Sequence, residues 1–95
     1  HQIEKAIKRQ DLLSMNHRTS EFFASYFDLL FALNEQTHPG EKRMLEYAKT
    51  NCTLLPKQFE ETIRKYFQLL YQPQQEKQAV VTLQTILKQL KAILP

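Results

Sequence analysis

The chain's only glycine, Gly40, lies in Thr37-His38-Pro39-Gly40-Glu41-Lys42-Arg43. These residue types could hold an anion at the start of a helix. If His38 caps that helix, Pro39 takes its first position; if Gly40 caps, Glu41 begins it. Either way, unbonded backbone N–H groups point out of the helix start. Lys42 and Arg43 then stand in the first turn, where the helix dipole disfavours cations by roughly 0.3–1 kcal/mol unless an anion sits among them. A phosphate is the natural candidate. The plain alternative is a turn with a cap, both cations extending into water.

Ser25 and Asp28 form the second candidate. They share one polar stripe with Arg18, Glu21 and Glu35 on the otherwise apolar segment Arg18–Glu35. A carboxylate in apolar surroundings needs a partner or water. The stripe is therefore either a solvated helix edge or a cleft wall in which Asp28 recognises a donor on a ligand or neighbouring domain.

Other chemistry is excluded by what the sequence lacks. A phosphate loop needs several glycines, and metal sites need closely spaced Cys or His pairs. The spacing from Arg9 to His17 is too long for the Arg-x4–6-His pattern of all-helical nucleases. The two aspartates, Asp11 and Asp28, are far from the Asp-x-Asp arrangement that holds magnesium in phosphoryl transfer. Cys52, alone on an apolar helical stripe, reads as inert packing. A single cysteine cannot form an internal disulfide, which fits a reducing compartment or one where redox is irrelevant, and the expected setting is cytoplasmic. Asn51-Cys52-Thr53 matches a glycosylation acceptor only formally. No apolar run approaches the ~20 residues of a membrane span.

The elements that must position these residues are helices. One glycine in 95 residues is too few for hairpins and glycine-rich turns, while 42% hydrophobic residues suffice for one core. The reading is all-α: a single-domain antiparallel bundle of four to five helices over residues 1–95. Residues 2–13 carry Ile3, Ala6, Ile7 and Leu13 inward, with a break at Ser14-Met15-Asn16 and Asn16 as the next cap. A single helix running through that break is the alternative. The aromatic segment 18–35 is central. A third helix over 41–52 turns in Met44, Leu45, Ala48 and Cys52. Pro56 opens a fourth, through about Tyr71, with Phe59, Ile63, Tyr66, Phe67 and Leu70 buried. The last, about 75–94, bears a seam of Val80, Leu83, Leu87, Leu90 and Leu94. The chain opens on His1 with a pattern already in mid-helix, as expected of a domain excised from the C-terminal part of a larger protein; a tag remnant is the alternative.

The stretch YFDLLFALNEQTHPGEKRMLEYA, residues 26–48, resembles the helical C-terminal domain of uncharacterised nucleotidyltransferase-like proteins. In these a polymerase-beta-type catalytic domain precedes a helical bundle. The shared features are an aromatic helix ending Ala32-Leu33-Asn34, a loop with His38 before Pro39, and Lys42 opening the next helix. The resemblance implies a non-catalytic accessory domain that helps hold nucleotide or acceptor substrate. Asn34, His38 and Lys42 would face the cleft, with Lys42 on phosphate; Gly40 and Arg43 join the candidate phosphate site through the helix-start reading, Arg43 standing where such proteins often carry Trp. Magnesium and nucleotide would belong to the parent protein, with no cofactor in this domain, and the partner would be the preceding catalytic domain of the same chain. The rival reading is an interaction module that dimerises through the C-terminal seam. Nucleic-acid binding is disfavoured, since 13 basic and 10 acidic side chains give only +3 and the basic residues do not cluster.

Overall fold

Gln10 and Asp11 set the first corner of the fold. The computed structural model describes residues 2–95, so the reading of His1 as an excised start lies outside the described residues. Helix α1 (Gln2–Arg9) ends at a left-handed Gln10, φ 56°. The N–H groups of Gln10 and Asp11 donate to the carbonyls of Ile7 and Ala6 at 3.0 and 3.2 Å, a Schellman closure. Asp11 then caps α2 (Leu12–Leu33), its Oδ1 accepting the Ser14 N–H at 3.3 Å. That bond, helped by Arg9, holds the Asp11 carboxyl below its ordinary value. The expected break at Ser14–Asn16 is thus corrected: the chain turns at Gln10–Asp11, and Asn16 lies inside α2, accepting from the Tyr71 hydroxyl. The correction carries Leu13 out of the core, where it is 83% exposed.

The remaining helices are α3 (Met44–Asn51), α4 (Phe59–Leu70) and α5 (Glu76–Ile93), with no strand among the described residues. Both α3 and α4 begin later than their sequence signals suggest. Arg43 and Gln58 each adopt φ 54° just before the helix, and a left-handed residue ends helical propagation. Glu41 and Lys42 are therefore turn residues rather than the first turn of α3. Pro56 is buried in the extended stretch ahead of α4 instead of opening it. Gln10, Glu35, Arg43, Gln58 and Gln74 occupy positive-φ positions that glycine usually takes, which is how five helices are joined with one glycine.

The five helices share one core. Helix α1 packs against both α2 and α5, and α4 packs on α5. Gln10 meets Glu76 while Gln84 donates to Glu4 at 3.4 Å, so α1 and α5 run antiparallel. Val80, Leu83 and Leu90 are buried and Leu87 and Leu94 half-buried, so most of the leucine seam serves this core.

Helices α2 and α4 stand further apart, joined by rings. Phe23 lies on Phe67 at 5.4 Å and Tyr26 on Phe59 at 6.3 Å between centroids. The fully buried Tyr66 shares a 2.9 Å hydrogen bond with Thr19, and burial pushes its phenol up to about 12. The result is a trough with an aromatic floor. Helix α3 lies across one half of it. Its Tyr47 packs on Phe31 of α2 at 5.6 Å, while Lys49 reaches Glu60 of α4 at 2.8 Å and Arg64 reaches Glu46 at 3.8 Å.

Candidate functional site

The segment between α2 and α3 carries most of the residues singled out from the sequence, and the structure divides them into two groups. The first group pins the loop down. Glu35 (φ 55°) and Gln36 donate to the carbonyls of Ala32 and Phe31 at 3.1 and 2.9 Å, closing α2 in a second Schellman motif. Asn34 then clamps the distant Leu54 backbone. Its Nδ2 donates to the Leu30 and Leu54 carbonyls, each at 2.9 Å, and its Oδ1 accepts the Leu54 N–H at 2.8 Å. Both amide hydrogens are used, so Asn34 has no donor left for a ligand.

His38 is held on three sides. Its ring meets Phe31 edge-on at 5.4 Å, its Nδ1 accepts the Gly40 N–H at 3.0 Å, and its Nε2 faces Asp28 Oδ1 at 3.7 Å. With Nδ1 accepting, the ring proton of neutral His38 sits on Nε2, toward the carboxylate. Asp28 thus has a partner from the loop as well as water. Ser25 points elsewhere, into a smaller groove of about 320 Å3 between α2 and α5 that Arg18, Glu21 and Leu87 also line. The expected polar stripe is split between two surfaces. Gly40 is needed for its φ of +93° alone, since a Cβ there would meet nothing within 4 Å.

The second group is Lys42 and Arg43. Neither has an ion-pair or side-chain hydrogen-bond partner among the described residues. Arg43 stands beside the open half of the trough, a groove of about 620 Å3 between α2 and α4. Phe23, Phe27, Met44, Ile63 and Phe67 form its floor and walls, with Glu41, Arg43 and Arg64 at the rim. A further space of about 290 Å3, sharing Phe23, Glu41, Met44 and Phe67, continues it past Ala24 and Ser20 to Asn16; Lys42 lines neither space. A groove of this size and apolar character is ordinary for a ligand or partner segment.

Sequence reasoning missed this groove because it counted Phe67 as core. The signal was present: Phe59, Ile63, Tyr66 and Leu70 already complete the buried stripe of α4, and Phe67 lies on its shoulder, 44% exposed. The catalytic alternatives gain nothing from the geometry. Cys52 is buried, and burial raises its thiol above the ordinary value, away from the reactive thiolate. His17 stands at the surface, 3.5 Å from Glu21. No three His, Cys, Asp or Glu side chains converge as a metal set among the described residues, and no described helix is long and apolar enough to cross a membrane. No family model matches the chain, and neither a curated protein nor a solved structure matches it.

Proposed function

We propose that this chain is a non-catalytic binding domain whose working surface is the open half of the α2–α4 trough. The ligand class is amphipathic: an apolar body against Phe23, Phe27 and Phe67, and a negative group toward Arg43. The observation that carries this reading is the pairing of an apolar groove that ends on the exposed Phe67 ring with the unpartnered Arg43 at its mouth. Apolar contact supplies affinity in such a groove, and the rim charges orient the ligand.

Calorimetric titration with dodecanoate, an apolar chain with one carboxylate, tests the reading. Saturable binding is expected, weakened about fivefold by Lys42→Ala combined with Arg43→Asn. Asparagine is chosen because it tolerates the left-handed backbone of that position. No binding at millimolar dodecanoate, or binding indifferent to both substitutions, would contradict it.

A second reading draws on Arg43 and its neighbour Lys42. An accessory domain beside a nucleotidyltransferase-type catalytic domain would hold nucleotide with phosphate on Lys42 and Arg43 and the base stacked on the exposed Phe67 ring. Titration with adenosine monophosphate and inorganic phosphate separates the two: this second reading expects the nucleotide to bind and dodecanoate not to compete with it.

A further inference from the structure

The basic residues that lie scattered along the sequence are gathered by the fold. Helices α1 and α5 carry six of the chain's 13 Lys and Arg side chains but only two of its ten Asp and Glu. These two helices therefore hold a side-chain charge of +4, and everything else holds −1. Because α1 and α5 run antiparallel, their lysines meet along one side of the pair. Lys8 of α1 and Lys77 of α5 line the same open groove of about 620 Å3, together with Val81 and Gln84. Lys5 is three residues from Lys8 and shares its side of α1. From Lys77, steps of 4, 3, 4 and 3 lead through Val81 and Gln84 to Lys88 and Lys91, one exposed row on α5. At 1.5 Å per residue that row is about 21 Å long.

None of these five lysines has an ion-pair partner among the described residues. The two acids of the pair are turned to amides instead: Glu4 accepts from Gln84 at 3.4 Å, and Glu76, which lines the groove, accepts from Gln10. Arg9 alone is paired, with Asp11 at 3.7 Å. Lys5 with Lys8, and Lys88 with Lys91, are like charges at i,i+3, an arrangement that slightly weakens a helix unless an anion lies across it.

The lining selects among polyanions. Of the exposed large hydrophobic side chains, only Val81 lies in this groove. It offers no ring for the bases of a single strand, no apolar anchor for a bilayer and no apolar centre for a protein interface. Lysines are point charges, without the planar forks that read base edges. A regular array of phosphates suits them, and about 21 Å of duplex is six base pairs at 3.4 Å each.

We propose that the α1–α5 face binds the phosphate backbone of double-stranded nucleic acid without reading its sequence. This face is separate from the α2–α4 trough, and neither reading stands on the other.

Fluorescence anisotropy of the intact chain with a labelled DNA duplex of about 20 base pairs, in about 50 mM salt, is the test. Saturable binding is expected, and with about four phosphate contacts it should weaken about a hundredfold at 200 mM salt. Lys8→Gln with Lys77→Gln, both at exposed positions, should weaken binding about tenfold and lower the salt slope by about two. Lys57→Gln with Lys65→Gln removes the same charge from α4 and the turn before it, and should change affinity less than about twofold. A duplex of shuffled sequence should bind equally well. Absence of binding at the lower salt, equal losses in the two double variants, or a marked preference for one sequence overturns the proposal. Tighter binding at equal salt to phosphatidylserine vesicles, to a single strand of thymidines or to polyglutamate assigns the face to that polyanion and refutes the duplex.

Discussion

The two halves of the α2–α4 trough are built from the same kinds of residue and differ in what lies over them. Under α3, Phe31 and Phe59 are almost fully buried, and the charges above them are paired: Glu46 and Glu60 with Lys49 and Arg64. In the open half Phe67 is nearly half exposed, and of the rim charges Arg64 is paired while Glu41 and Arg43 have no side-chain partner among the described residues. Where the chain covers its own aromatics, it also neutralises the charges at the edge. An exposed ring at the edge of an apolar groove marks a surface open to another molecule.

The comparison can be broken by mutation. Phe31→Ala removes a ring packed on both Phe27 and Tyr47 and should cost about 3–5 kcal/mol in denaturant unfolding. Phe67→Ala should cost about 1–2 kcal/mol, because much of that ring is already wet. Equal losses would mean that the two halves are equally covered in solution. At the boundary, Tyr66→Phe strands the buried Thr19 hydroxyl and should cost roughly 1–3 kcal/mol. A neutral effect there would show that water reaches Thr19 from the open side.

How much of this was legible in the sequence depends on which force sets each feature. Helix number and class were, because apolar spacing and the near absence of glycine both constrain them. The corners were not. Asn16 and Pro56 carry stronger local boundary signals than Gln10, Arg43 or Gln58, yet the left-handed turns fall on the latter because tertiary packing holds them there. Lys42 and Arg43 were expected in the first turn of a helix, and that helix instead starts just past them, at Met44. Asn34 reads the same whether its amide serves a ligand or a backbone clamp, since the Leu54 backbone it binds lies twenty residues away. The partner of Asp28 was hidden for the same reason: His38 reaches it only after the loop has folded back. An open groove leaves almost no trace, since an exposed phenylalanine on a stripe's shoulder resembles a buried one.

Two smaller effects sharpen the picture of the covered half. Glu35 closes α2 in a left-handed conformation, so Glu35→Gly should raise stability by roughly 0.5–1 kcal/mol, seen as a higher denaturant midpoint. Lys49 and Arg64 hold the Glu60 carboxyl below its ordinary 4.5. Its contribution is therefore complete above that value and is lost as pH falls through the lower, folded-state value. Thermal melts from neutral pH down to about pH 3 should show a small acid-dependent loss that Glu60→Gln removes. A loss of the same size in the variant would place the acid sensitivity elsewhere, at Asp11 first.

The most direct measurement is an amide NMR titration of the chain with dodecanoate, read residue by residue. The expected shifts concentrate on Arg43, Met44, Phe23, Ala24 and Phe67, and leave the α2–α5 groove at Ser25 and Leu87 unmoved. Shifts centred on Ser25 and Leu87, or none up to millimolar ligand, would contradict the claim that the open half of the trough is the working surface.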